Sequence, residues 1–302
     1  MLVRDLRCSV LVGRDVELEQ LLDAIERTGA GAGETVVLLG EAGVGKSRLA
    51  EAAVAAARSR GIVVLRGRGT PSPAPAPYRP IAEALLSGLR DPEMRPPDGL
   101  SRFRAAFGVL VPGWSGDDVG LPAYPSVILL GESVLALLRV LGGPGGVLLL
   151  LEDLHWADPG TLELLDYVVD KLGASKAVVL ATVRAGEASP AEKLARSLHA
   201  RRQVSVVDLG RLPADDVTRM VAACLGQEHP PSELVRVVHE ASDGLPFLVE
   251  EVLTALVSTH SIVRAEDGWR VVGPLRSRVP PSFAATVEER MRALSPPARR
   301  VV

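Results

Sequence analysis

The chain has 302 residues, 47% hydrophobic and 24% charged, enough for a sizeable core in one large domain or two ordinary ones. Its net charge of -3 argues against the basic surface of a dedicated nucleic-acid binder, and no uncharged run is long enough to span a membrane. With only 3% aromatic residues, the core must be built from Leu, Val and Ala, which suits helices on a parallel sheet better than a β-sandwich.

Lysines occur only at Lys46, Lys171, Lys176 and Lys193. The cysteines, Cys8 and Cys224, match no metal-ligand spacing, and residues 1–15 lack the apolar run of a signal peptide. A reduced, cytoplasmic protein is the expectation.

Apolar residues at helical spacing predict a helix over 15–27, and a β-branched run over 35–39 predicts a buried strand. After a glycine-rich turn, an Ala-rich helix is expected over 46–60, with Gly61 at its C′ position. Residues 62–65 read as the next strand, 71–80 as a Pro-rich loop and 81–89 as a helix; 90–125 show no firm period. A helix over 126–141 precedes an unbroken apolar strand at 147–151. Asp158 and Pro159 form a helix start, N-cap followed by N1, for a helix to about 172. Strands follow at 177–183 and 204–209. Strands alternating with helices imply an α/β fold, a five-stranded parallel sheet with helices on both faces. Past residue 210 the pattern turns helical, over 213–225, 232–241 and 245–259, with a short hairpin at 262–272. The domains expected are 1–207, 208–275 and a further helical unit begun at 276–302.

Gly40-Glu41-Ala42-Gly43-Val44-Gly45-Lys46-Ser47 satisfies G-x-x-x-x-G-K-[ST], and it follows a strand and opens a helix, as a phosphate-binding P-loop must. Glycines let successive N–H groups point at phosphate oxygens, and the helix N-terminus adds its positive end. Lys46 is expected to reach the β- and γ-phosphates and Ser47 to ligate Mg2+, with Arg48 beside them. Such a loop needs an acidic residue at a neighbouring strand end. The run Leu148-Leu149-Leu150-Leu151-Glu152-Asp153 supplies it, with Glu152 as the Mg2+ ligand and Asp153 orienting the attacking water. Arg184, after the strand at 177–183, is placed to sense the γ-phosphate. Asp158 is read as a cap, Trp156 as packing, and Arg196, Arg201 and Arg202 as a solvated face.

Several further segments carry a family likeness. The chain resembles the ATPase module of STAND-type signalling proteins, above all the large ATP-binding regulators of the LuxR class (MalT-like). Leu11-Val12-Gly13-Arg14 with Glu17 is similar to the segment that closes over adenine. Leu151 to Asp158 is similar to the extended acidic-strand motif, and Thr182-Val183-Arg184 to the sensor arginine. Asp243-Gly244-Leu245-Pro246-Phe247 resembles the GxP motif, whose proline packs on the adenine. The resemblance implies an AAA+/STAND-like P-loop NTPase with a small helical domain, the start of a winged-helix-like unit at 276–302, and slow, regulatory, Mg2+-dependent ATP hydrolysis. Nucleotide state would set the angle between sheet and helical domains. Val12, Gly13 and Arg14, with Glu41 to Arg48 and Pro246, would hold ATP or ADP. Expected partners are nucleotide and either a second copy or C-terminal domains beyond this segment, with no nucleic acid and no membrane. Glu152 departs from the commoner Asp. An AAA+ motor or loader and a P-loop kinase are the alternatives.

Overall fold

A computed structural model describes residues 6–29, 31–72, 76–88, 100–111, 126–186, 188–265, 268–273 and 275. The expected helical unit from residue 280 and the hairpin's turn at Glu266 and Asp267 lie outside the described residues. The chain divides into two compact units. One comprises residues 16–40 and 46–208; the other comprises 1–15, 41–45 and 209–302.

The larger unit holds helices α1 (Asp15–Gly29, from its second residue), α2 (Lys46–Ser59), α3 (Arg79–Gly88), α4 (Arg104–Leu110), α5 (Val127–Gly142), α6 (Pro159–Lys171) and α7 (Pro190–Ala200). Its strands are β1 (Glu34–Gly40), β2 (Val63–Arg68), β3 (Val147–Glu152), β4 (Ala177–Arg184) and β5 (Ser205–Leu209). They form one parallel sheet in the order β2-β3-β4-β1-β5. Strand alternation divides the core between two faces. Val37, Leu39, Leu149, Leu151, Val179 and Ala181 join a cluster with residues of α3 to α7. Val36, Leu38, Leu148, Leu150, Val178 and Leu180 are buried on the other face, and α2 contacts β1 to β4.

Register places the strand ends. Gly40 lies opposite Arg184, and Glu152 opposite Arg68, so the carboxyl ends of β1, β4, β3 and β2 line up along one edge. The strand expected at 62–65 runs on to Arg68. Its edge N–H groups find partners on α3: Arg66 N donates to Ser87 Oγ at 2.9 Å and Arg68 N to Glu83 Oε2 at 3.0 Å. Gly67 is required by close approach, since a Cβ there would lie 1.7 Å from the Pro80 carbonyl oxygen. Two helices lack a counterpart in the expected pattern, α4 and α7; the latter starts on Ser189, whose Oγ accepts from Glu192 N at 3.2 Å.

Asp158 caps α6 as expected and also tethers the turn before α3. Its carboxylate accepts from Thr161 N at 3.0 Å, from Tyr78 N at 3.1 Å and from the Thr161 hydroxyl. Asp158→Ala removes all three bonds from a buried position. A loss of about 2–3 kcal/mol of stability is expected. Urea denaturation checks it; an unchanged midpoint would assign both turns to other contacts.

The smaller unit contains α8 (Ala214–Leu225), α9 (Ser232–Ser242), α10 (Pro246–Ser258) and the antiparallel hairpin β6 (Ile262–Ala265) and β7 (Gly268–Val271). Val217, Val221, Leu234, Val238, Val249, Val252 and Leu253 form its core, and Cys8 from the N-terminal segment joins them. Among the described residues no helix is long and apolar enough to cross a membrane.

Candidate functional site

In the larger unit, the acidic pair sits where the buried β3 run ends. Leu148 to Leu151 are at most 1% exposed, whereas Glu152 and Asp153 are half-buried. Asp153 turns the chain out of the strand in the left-handed region (φ 54°, ψ 41°), which Asp tolerates better than most residues. Its N–H donates to Thr182 Oγ1 at 2.9 Å, tying the turn to β4. Lys46 opens α2 and is nearly buried; its Nζ donates to the Gly40 carbonyl at 2.7 Å. Ser47 follows it and is exposed, Arg48 is half-buried, and Arg184 is half-buried at the end of β4 opposite Gly40.

Two arginines that sequence reasoning missed complete this edge. Arg66 and Arg68 alternate onto the face of β2 opposite Gly67. Arg68 Nε donates to Asp153 Oδ2 at 2.7 Å, and Arg66 Nη2 donates to Glu152 Oε2 at 3.2 Å. Arg66 also pairs with Glu51 of α2. The hydrogen bond to Asp153 holds the Arg68 guanidinium above its ordinary pKa, against the opposing effect of burial. Burial pulls Arg66 down, but Glu51 and then Glu152 hold it above its ordinary value. The sequence shows the Arg-x-Arg alternation but not that it lies beside the acidic strand end, which only the pairing of β2 with β3 reveals.

In the smaller unit, the remaining residues of the loop, Glu41 to Gly45, lie among the N-terminal segment and the residues after 209. Gly43 and Gly45 have φ of 77° and 105°, the left-handed region that the loop's curl demands. Arg14 is buried, and its Nη2 donates to the carbonyls of Val44 at 3.1 Å and Gly210 at 2.6 Å. Its guanidinium therefore holds main chain. Val12 packs against the helical core, and Gly13 has φ 66° with Asp216 against it. Pro246 is the first residue of α10, and Phe247 N donates to the Gly43 carbonyl at 3.2 Å. A third missed residue, Arg211, grips Glu41 through two bonds of 2.7 and 2.8 Å and also pairs with Asp243.

The other expectations meet the structure plainly. Trp156, expected to pack, is 38% exposed. Arg196 and Arg201 form exposed pairs with Asp208 and Asp166. The donor set fits Mg2+: Ser47 and Glu152 offer hard oxygens, and Mg2+ on a nucleotide takes one or two protein oxygens, with phosphates and waters supplying the rest. Among the described residues no group of three or more His, Cys, Asp or Glu side chains forms a separate metal cage.

Residues 10–183, more than half of the chain, match the profile of the family described as the AAA ATPase domain. The fold is similar to the Aeropyrum pernix ORC2 protein solved as ADPNP–ADP complexes. Identity is 16%, the TM-score 0.58, and the match covers 96% of this chain and 73% of that one. It is also similar to a Pyrococcus horikoshii signal transduction ATPase with numerous domains and a tetratricopeptide repeat sensor. There identity is 16% and the TM-score 0.55 over 96% of this chain, which spans only 33% of that protein. A third likeness is to the Aeropyrum pernix ORC1 protein in complex with DNA, at 18% identity and TM-score 0.54, covering 97% and 70%. Identities this low establish the fold alone. No curated protein matches the sequence.

Proposed function

The chain belongs to the AAA ATPase domain family, and from that premise we propose that it is a slow, nucleotide-retaining switch. It binds ATP or ADP with Mg2+ and serves as the ATPase module of a signal-responsive transcriptional regulator of the LuxR type. The observation that carries this reading is the packing of loop residues 41–45 in one compact unit with the N-terminal segment and α10. Arg14 bonds the Val44 carbonyl and Phe247 the Gly43 carbonyl, so the loop is held by both.

In this reading Lys46 and the N–H groups of 41–48 grip the phosphates, while Ser47 and Glu152 hold Mg2+, which neutralises phosphate charge. Asp153 orients water, and Arg184 reports the γ-phosphate. Val12, Gly13 and Pro246 enclose the adenine, with Arg14 fastening that segment to the loop. A ligand enclosed this way leaves only when the enclosing segments open, so release is slow. With 34 basic and 37 acidic residues, the segment itself is read as binding no nucleic acid.

Pro246→Gly tests the retention. Losing the ring's apolar contact should speed ADP release about five- to tenfold, with the phosphate loop intact. Stopped-flow displacement of a fluorescent ADP analogue reads the rate. Fast release from wild type, unchanged by the substitution, would remove the case for a switch.

An AAA+ motor or loader is the second reading, favoured by the likeness to ORC proteins. ATPase activity per chain that rises with protein concentration would favour it over the switch.

A further inference from the structure

The arginines of β2 stand against both carboxylates of the acidic edge. Arg66 and Arg68 project on the face that α2 contacts, because Gly67 between them faces α3. Glu152 shares that face, since it lies opposite Arg68 in register. On α2, Ser47 and Glu51 are four residues apart and lie along one side of the helix. Glu51 pairs with the same Arg66 Nη2 that reaches Glu152 at 3.2 Å. The pair is unequal in surroundings: the side chain of Glu152 is 14% exposed and that of Glu51 is 51% exposed.

One guanidinium nitrogen bridges two carboxylates and can keep either when the other is taken. The geometry points to Arg66 as a built-in competitor for the cation at Glu152, with Glu51 as the partner to which it withdraws. The inference rests on the reading of Glu152 as the Mg2+ ligand. A cation entering beside Ser47 and Glu152 meets a carboxylate already neutralised by Arg66. Two positive charges cannot share that half-buried oxygen without strong repulsion. A cation that takes Oε2 displaces Arg66, and the existing pair with Glu51 lets Arg66 withdraw without losing an ion pair. Arg68 stays on Asp153, its side-chain partner, and so keeps that carboxylate fixed while its neighbour exchanges partners. The arrangement sets how much Mg2+ the site requires, and it opposes stable metal binding where no phosphate adds to the attraction.

Mn2+ is the probe, titrated into the full chain with ADP bound, the free ion being counted by electron paramagnetic resonance. Arg66→Gln removes the competitor and should tighten Mn2+ about fivefold, the scale of a partly exposed ion pair. Glu51→Gln removes the withdrawal partner and should weaken Mn2+ about twofold. Opposite signs at two residues in contact are not the signature of general loosening. In the Glu152→Gln background Arg66→Gln should bring no gain. Unchanged Mn2+ affinity in Arg66→Gln, with Glu152→Gln weakened, would overturn the competitor role and leave the metal assignment standing. Unchanged affinity in Glu152→Gln would overturn the metal assignment itself. If Arg66→Gln does not fold, Glu51→Gln decides alone, and equal or tighter Mn2+ binding there is the contrary result.

Discussion

Lys46→Ala is expected to abolish tight nucleotide binding, with a loss of up to about a hundredfold in affinity. Lys46 is the first residue of α2, only 8% exposed, and its ammonium is directed to the end of β1 by the bond to the Gly40 carbonyl. A phosphate oxygen at the loop would exchange for that carbonyl, replacing a bond to a neutral acceptor by a doubly charged one. Charge-assisted bonds of this kind contribute up to about 3 kcal/mol, which corresponds to the stated factor. The alanine variant keeps the helix, because Ala is the strongest helix former. Lys46→Arg should fail as well, since a planar fork cannot occupy the place of a compact ammonium in a nearly buried position. Isothermal titration with MgATP reads both variants. Affinity equal to wild type in Lys46→Ala would remove the loop from the site.

The second large effect is on turnover. Asp153→Asn should keep nucleotide affinity and lower steady-state phosphate release about a hundredfold or more, the usual contribution of a positioned proton acceptor. Asn suits the left-handed turn at this position as well as Asp does, and the N–H to Thr182 Oγ1 is untouched. Arg68 loses a charged partner but keeps an acceptor oxygen, so the edge should stay in place. Phosphate release at the wild-type rate in a variant that still binds ATP would exclude Asp153 as the group that orients water.

How far the sequence was legible depends on how local each signal is. The loop at 40–47 announces itself because every requirement is met within eight residues: glycines where φ is positive, a strand before and a helix after. The β3 strand and the cap at Asp158 are equally local, one an unbroken apolar run and the other an N-cap followed by proline. The start of α7 was local too, with Ser189 and Pro190 in N-cap and N1 positions, yet the reading has no helix there. Other features depend on partners far along the chain. The expected strand stops at residue 65, short of Arg66-Gly67-Arg68, because nothing nearby in sequence shows that Ser87 and Glu83 complete its edge hydrogen bonds. For the same reason the ion pairs of Arg66 and Arg68 with residues more than eighty positions later were invisible. The resemblance gave Arg14 a place beside the adenine, and its bonds to the Val44 and Gly210 carbonyls, partners 30 and 196 positions away, show a side chain that fastens main chain. Arg211 had no signal at all, since its partners are Glu41 in the glycine-rich loop and Asp243 before α10.

Slow release of a retained adenine nucleotide is what separates the proposed switch from a motor or a kinase. Mass identification of what is released when protein purified without added nucleotide is denatured addresses it most directly. An approximately equimolar amount of ADP per chain is the expected result. A guanine nucleotide in its place, or no nucleotide, would contradict it.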